Sequence, residues 1–566
     1  MIINKHFILK KYFGHDDFRQ GQAELIDSIL CGRDTFGIMP TGSGKSICYQ
    51  IPALMFKGLT IVISPLISLM KDQVTAIQHS GIEAAFINSS LSYYEYSLTM
   101  QMAADGKYKI IYIAPERLMT ENFLKFAVSA DIAMVAIDEV HCVSQWGHDF
   151  RPSYLKIIDF INQLPCRPVI SAFTATATNE VKEDVISILR LINPFIITTG
   201  FDRPNLYFEV QKPYSKFNAL CDIVESKKNE CGVVYCLTRK IAEEVCENLN
   251  AYGYNATRYH AGLNDDERRF NQDDFIFDRK QIMVATNAFG MGIDKSNVSF
   301  VVHYNMPKNL ENYYQEAGRA GRDGSKAECI LLYNGQDIRL NQYIIDNTQE
   351  NPAISAEMRS KIKNRDKERL KFITDYCCAN ECLRKYILKY FNDNYSERCN
   401  NCSNCIKTII RSVEQLNVTP INDKKTTEIE NDLLEELINA RKEIADTAGI
   451  PPFSVFTDAT LQAMCEKMPR SLADFNNIAG VGMYKMTKYG LKFVNIIKRY
   501  ADKMDLINSY ESIFYNSGKE WTDTEDLQLK DEYLSGLTIR DITKIHKRPV
   551  QEIKERIDFL DLDWNL

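Results

Sequence analysis

No stretch of this 566-residue sequence reaches about 18 uninterrupted apolar residues, the length a helix needs to cross a bilayer. The opening MIINKHFILK has no apolar core followed by a small-residue cleavage site. Both absences predict a soluble, cytoplasmic protein that neither enters a membrane nor is exported. Positive charge is not in excess either: 68 Lys and Arg against 75 Asp and Glu leave a net charge of −7. Any polyanionic partner must therefore be met by local clusters of cations, with no general basic field to draw it in. Cysteine is sparse for the length, at 16, and most stand singly in apolar runs, as Cys48, Cys221 and Cys246 do. That excludes a disulfide scaffold and reads as reduced core residues. What remains is ordinary globular material, 45% hydrophobic and 25% charged. At roughly 150 residues per domain, three to five domains are expected.

Residues 34–206 repeat one rhythm, a short β-branched run, a turn with Gly, Ser or Pro, then a helical pattern. Thr60–Ser64, Ile110–Ala114, Ala133–Ile137 and Val169–Ala172 have the continuous apolarity of parallel strands covered on both faces. The rhythm restarts at Gly232–Cys236, Ile282–Thr286, Phe300–His303 and Glu328–Tyr333. The fold class is α/β: two doubly wound parallel-sheet lobes, 1–206 and 207–345, joined near Asp202–Tyr214. A cysteine-bearing module follows over 346–410, then a linker over 411–428. Helical sequence fills 429–506, with apolar positions at Leu433, Leu437, Leu461, Met464, Leu491, Val494 and Ile497. A tail over 507–566 has the spacing of a helix-turn-helix.

Chemistry enters at Met39-Pro-Thr-Gly-Ser-Gly-Lys-Ser46, between a strand-like and a helix-like segment. This is P-loop context. The main chain of Thr41, Gly42, Ser43 and Gly44 can curl its N–H groups toward phosphate oxygens, Lys45 can reach the β and γ phosphates, and the Ser46 hydroxyl can coordinate Mg²⁺. The strict pattern has Gly where Met39 stands. Further on, the apolar strand ending at Ile137 runs into Asp138-Glu-Val-His141, which puts two carboxylates where parallel sheets place their ligands. Asp138 suits Mg²⁺ and Glu139 suits polarising an attacking water.

These elements, with Phe18–Gln22, Ser64–Gln73, Ile113–Leu118 and Phe173–Ala177, follow the order of a superfamily-two helicase and closely resemble the RecQ DNA helicases. The resemblance spans roughly residues 7–410 and implies two RecA-like lobes, ATP as substrate and 3′ to 5′ tracking on single-stranded DNA. It implies that Gln22 reads adenine with help from Arg19, and that His141 couples the two sites. Single-stranded, tailed or branched DNA and single-strand-binding or other repair proteins are the expected partners, at the nucleoid. Val140 departs from the usual Ala of this motif, so a modest change in rate is expected. The aromatic-rich segment Ser144–Pro152 matches the family's DNA-sensing loop. Trp146 and Phe150 offer stacking faces, Arg151 a cation for a phosphate, and His148 a coupling role carried over from the family.

In the second lobe, Tyr313–Gly324 sets Arg319 and Arg322 three apart, which predicts both guanidinia on one helical face. Arg322 is expected as an arginine finger with Arg319 beside it; ion pairing with Glu316 or Asp323 is the alternative. Cys382, Cys399, Cys402 and Cys405 offer four thiolates, a donor set that favours structural Zn²⁺ over an iron–sulfur cluster. The family has a zinc module at this place, while Cys377 and Cys378 read as bystanders.

The pattern then breaks, because the stretch from Cys405 to 429 has no room for the winged-helix domain of long family members. Residues 429–504 resemble an HRDC domain, where Gly480 and Gly482 open a turn near Lys485, Lys488 and Lys492. Those lysines either meet phosphates or are merely solvated. In the tail, Trp521, Leu527, Tyr533, Ile542, Ile545, Ile553, Ile557 and Leu560 read as core, and Lys544, Lys547, Arg548 and Lys554 as DNA contacts or parts of a docking surface.

Overall fold

The computed structural model describes residues 4–65, 67–147, 150–228, 230–289, 295–347, 356–407, 427–513, 515–535, 537–560 and 562. In the first lobe the strands are β1 (Thr35–Ile38), β2 (Leu59–Ile63), β3 (Ala84–Ile87), β4 (Ile110–Ile113), β5 (Ile132–Ile137), β6 (Val169–Thr174) and β7 (Phe195–Thr198). They form one parallel sheet in the order β3-β4-β2-β5-β6-β1-β7. The second lobe contributes β8 (Leu206–Gln211), β9 (Cys231–Tyr235), β10 (Ala256–Tyr259), β11 (Ile282–Ala285), β12 (Val298–His303) and β13 (Ala327–Leu332), parallel in the order β10-β11-β9-β12-β13-β8. The central strands are buried on both faces, as their unbroken Val and Ile runs require.

The strand order positions the chemistry. β6 lies between β1 and β5, so the turn after β1, the carboxylates after β5 and the Thr174–Thr176 segment after β6 emerge side by side at one sheet edge.

A long helix, Ala356–Cys378, leads to the cysteine module with its helix Leu383–Tyr390. The module is fastened to the connector between the lobes. Arg384 donates to Asp202 and to the Arg203 carbonyl, both at 2.6 Å, and Asn401 Nδ2 donates to the Pro204 and Leu206 carbonyls at 3.0 and 3.1 Å. Phe391 stacks on Phe201 with ring centroids 4.5 Å apart.

Of the 411–428 linker, residues 411–426 lie outside the described residues, and Thr427 already begins the helix Thr427–Ala448. Leu433, Leu437, Leu461, Met464, Val494 and Ile497 form the expected helical core, but Leu491 is 63% exposed and Phe493 fills the buried position instead. The boundary at 506 falls within one continuous helix, Met483–Ile513.

Beyond that helix, the described tail residues form three more helices, Asp523–Leu534, Ile539–His546 and Val550–Phe559. Its core holds Tyr533, Ile542, Ile553 and Ile557, flanked by Trp521 and Leu560. Leu527 and Ile545 are 65% and 46% exposed, and Leu529 takes the inward position on the first helix. Arg548 is also not a phosphate contact. It is 1% exposed, pairs with Glu525 and Glu552, and lies 4.2 Å from the Trp521 ring centroid. Among the described residues no helix is long and apolar enough to cross a membrane.

Candidate active site

The Met39–Ser46 loop is the turn from β1 into the helix Lys45–Met55. Gly44 sits at φ 82°, a region side chains rarely adopt, and a Cβ there would stand 2.6 Å from Gln22 Nε2. That Nε2 donates to the Ser43 and Gly44 carbonyls at 3.0 and 3.1 Å, and Gln22 Oε1 accepts from the Arg19 backbone at 2.9 Å. Arg19 Nη1 donates to the Gly42 carbonyl at 2.5 Å. Gln22 and Arg19 are therefore braced against the loop itself. Lys45 Nζ donates to the Met39 carbonyl at 3.1 Å, so the departure from Gly at 39 uses only main chain, and the Met39 side chain is buried.

Asp138 and Glu139 follow β5. Glu139 has φ 46°, a left-handed conformation costing a non-glycine residue about 1 kcal/mol, and it starts the short turn Val140–Val143. Val140 is fully buried, so its extra methyls are absorbed by the core. Burial, and then the neighbouring Glu139 carboxylate, push the Asp138 carboxyl up to about 7, against the pull of Lys45 and His141. Two carboxyl groups side by side, one of them pushed up by the other, favour a bound cation, and Asp138 with the Ser46 hydroxyl offers the hard oxygen donors that Mg²⁺ takes. His141 is buried, with Nδ1 2.8 Å from Thr174 Oγ1 and 3.3 Å from Glu139 Oε2, so it links the carboxylates to the end of β6.

A cavity of about 540 Å³ brings the lobes' groups together: Lys45, Ser46, Asp138 and Glu139 from the first face Arg319 and Arg322 from the second. The arginines do not share a helical face, because their helix, Leu310–Ala317, ends before them. They lie in the following turn, where Gly321 has φ 55°. Of the alternative partners, Glu316 is taken by His303 at 2.9 Å, and Asp323 accepts the Ser325 backbone N–H at 3.0 Å.

Arg203 was not singled out from sequence. Its guanidinium donates to the Thr41 carbonyl at 2.7 Å, to Gly318 and Ala320 at 3.3 and 3.1 Å, and to Gly321 at 2.7 Å. One connector side chain thus holds the P-loop and the arginine turn together. Its only sequence signal is its place in Asp202-Arg-Pro-Asn205 between the lobes.

In the aromatic loop, the Trp146 ring is covered by Arg365 with the guanidinium 5.1 Å from its centroid, and its carbonyl accepts from Arg369 at 2.8 Å. Phe150 is half-buried, and Arg151 Nη1 donates to the Pro65 carbonyl at 2.6 Å. The loop is therefore docked on the helix Ala356–Cys378 and on the segment after β2. His148 lies outside the described residues.

The sulfurs of Cys382, Cys399, Cys402 and Cys405 lie within 4.8 Å of one another, and none forms a disulfide. A hydrogen bond from Cys399, and then backbone N–H groups, lower the Cys402 thiol to about 4. Four sulfurs held this close together fit a tetrahedral zinc ion that leaves no open position. Because such a site would contribute folding energy on the order of 10 kcal/mol, stripping zinc is expected to lower the thermal unfolding midpoint and to expose the 201–206 connector to protease. Calorimetry and limited proteolysis, beside a zinc assay, check this. An unchanged midpoint after complete zinc loss would contradict it.

Family models match in chain order: DEAD/DEAH box helicase at residues 19–184, Helicase conserved C-terminal domain at 215–324, RecQ zinc-binding at 335–406 and HRDC domain at 430–497. The ATP-dependent DNA helicase RecQ of Bacillus subtilis is 40% identical over 89% of this chain and 100% of its own length. That of Haemophilus influenzae is 34% identical over 87% and 95%. A putative ATP-dependent RNA helicase of Acanthamoeba polyphaga mimivirus is 38% identical over 76% and 77%. The loop, the paired carboxylates, the second-lobe arginines and the four-cysteine cluster thus sit in a chain that belongs to the RecQ family of ATP-dependent DNA helicases.

Proposed function

We propose that this helicase translocates 3′ to 5′ on single-stranded DNA and unwinds tailed and branched duplexes in recombination and repair, in the cytoplasm at the nucleoid, alongside single-strand-binding protein. The observation that carries the reading is the one cavity in which Lys45, Asp138 and Glu139 face Arg319 and Arg322 across two lobes. Gln22 and Arg19 hold the base, the loop from Thr41 to Gly44 wraps the phosphates, and Lys45 takes the β and γ oxygens. Ser46 and Asp138 would hold Mg²⁺, which when bound would neutralise phosphate charge. Glu139 accepts the proton of the attacking water, with its carboxylate oriented by His141. Arg322, with Arg319 beside it, reaches the γ-phosphate when the lobes close, and Arg203 carries that closure between the P-loop and the arginine turn. Alternating closure and release become steps along the strand through Trp146, His148, Phe150 and Arg151. For a base to stack on the face of Trp146 that Arg365 covers, Arg365 must first move away.

A second reading is favoured by one observation: only residues 408–426 separate the cysteine module from the next helix, too few for a winged-helix domain between them. In that reading the chain is a DNA-stimulated translocase or annealing ATPase that separates strands weakly.

Forked duplexes with a 3′ or a 5′ tail decide between them, with Lys45→Ala as control and RNA beside DNA as ATPase stimulant. Separation of the 3′-tailed fork alone is expected. Hydrolysis stimulated by DNA without strand separation would establish the second reading, and stimulation by RNA only would overturn both.

A further inference from the structure

Glu139, the base of the proposed reaction, stands on backbone that a side chain disfavours. Its φ and ψ are both 46°, in the left-handed region, and it is not a glycine. Such a conformation persists only where the surroundings hold it. The angle φ of residue 139 is measured from the plane of the peptide that joins it to Asp138, a rigid unit carrying the Asp138 carbonyl oxygen and the Glu139 N–H. Both polar ends of that unit are held. The Glu139 N–H donates to Asp138 Oδ1 at 3.0 Å, and the Asp138 carbonyl accepts from the Tyr154 hydroxyl, also at 3.0 Å. The preceding peptide is fixed as well, since the Asp138 N–H donates to the Ile63 carbonyl of β2 at 2.9 Å.

Tyr154 is a core residue with one polar atom. It is fully buried, on the short turn Pro152–Leu155 that follows the aromatic loop. Its ring packs in the hydrophobic core, so the hydroxyl is carried on a support that cannot swing. A phenylalanine would fill the same core space. What distinguishes the hydroxyl is its acceptor, the one carbonyl whose direction sets φ of Glu139. The root of the aromatic loop is closed separately, by the Arg151 N–H donating to the Cys142 carbonyl at 2.9 Å. Tyr154 reaches past that closure to the carboxylates.

We propose that Tyr154 is a positioning residue for ATP hydrolysis: by holding the Asp138 carbonyl, its hydroxyl keeps Glu139 in the left-handed conformation from which the carboxylate meets the attacking water. Without the hydroxyl the Asp138–Glu139 peptide is free to turn, Glu139 relaxes to an ordinary backbone conformation, and its carboxylate leaves His141, whose Nδ1 lies 3.3 Å from Oε2. Lys45 and Ser46, on the turn after β1, are untouched by that change. The inference rests on Glu139 being the base, which Glu139→Gln tests by itself: if that variant turns over as fast as the unmodified chain, the assignment of the base fails first.

The test is single-turnover ATP hydrolysis by the full-length chain, with and without single-stranded DNA, beside an equilibrium titration with a fluorescent ATP analogue. Tyr154→Phe removes the hydroxyl and keeps the ring. It is expected to slow hydrolysis about 10²-fold, the effect of misplacing a reacting group by about 1 Å, with ATP affinity unchanged. The loss should be the same with and without DNA, because the brace acts on Glu139 and not on the strand. Tyr154→Met, which also lacks the hydroxyl but fills the core with another shape, should reproduce it. In the Glu139→Gln background Tyr154→Phe should add little, since the group it positions has already lost its function. Undiminished turnover in Tyr154→Phe, where Glu139→Gln is slow, overturns the brace. So does a full further loss in the Glu139→Gln background, or a fall in ATP affinity that matches the fall in rate. A loss confined to the DNA-stimulated reaction overturns it too, because Tyr154 would then serve the grip on the strand.

Discussion

Replacing Arg322 by alanine is expected to slow DNA-stimulated ATP hydrolysis about 10³-fold or more, while ATP affinity changes only a few-fold. The asymmetry follows from where the guanidinium comes from. Arg322 belongs to the second lobe, and its Cα would lie 3.5 Å from a Cβ built on Gly42, ordinary contact distance, so the arginine turn stands directly beside the P-loop. A group delivered across an interlobe cleft stabilises charge that grows on the γ-phosphate in the transition state, and contributes less to the ground state that binds first. Single-turnover hydrolysis at saturating DNA, beside an equilibrium nucleotide titration, separates the two quantities. If affinity and rate fell together by the same factor, Arg322 would be a binding group and the finger would have to be sought at Arg319.

The central strands were legible because each is a short β-branched run buried on both faces. β3, β7 and β10 were not, since they lie at or near sheet edges and carry weaker apolar signals: Phe195–Thr198 is half-buried to exposed along its length. The P-loop and the paired carboxylates were legible because their spacing is local and their chemistry needs particular residue types. Arg203 was not, because its partners are main-chain carbonyls more than a hundred residues away, and a carbonyl has no sequence signature. Setting Arg319 and Arg322 on one helical face overlooked Gly318 and Gly321, which allow the chain to leave the helix. At Leu491, Leu527 and Ile545 the apolar period was read without its phase, and the inward positions belong to residues one or two away. The Gly480 turn meets the first lobe, its N–H donating to the Gly14 carbonyl at 3.1 Å, because two surfaces come together, which no local pattern encodes.

Glu139→Gln is the sharper test of the chemistry, because it alters one proton acceptor and almost nothing of shape. The expected result is a fall in turnover of about 10²- to 10⁴-fold, the usual contribution of a positioned general base, with ATP binding retained. Retention follows from the electrostatics of the pair. Glu139 is one of the groups that push the Asp138 carboxyl up, so neutralising it removes repulsion from the phosphate-binding side of the cavity without removing a cation. The amide keeps an oxygen for His141, whose ring is held by Thr174 Oγ1 at 2.8 Å, so the turn after β5 keeps its bracing. The variant should therefore accumulate in the ATP-bound state, grip single-stranded DNA and fail to step. Rapid-quench hydrolysis and DNA binding with ATP present measure both halves. Combined with Arg322→Ala the losses should be less than additive, since both groups act on one transition state. Turnover within about ten-fold of the unmodified chain would move the base away from Glu139, and the left-handed backbone at that residue would then need another explanation.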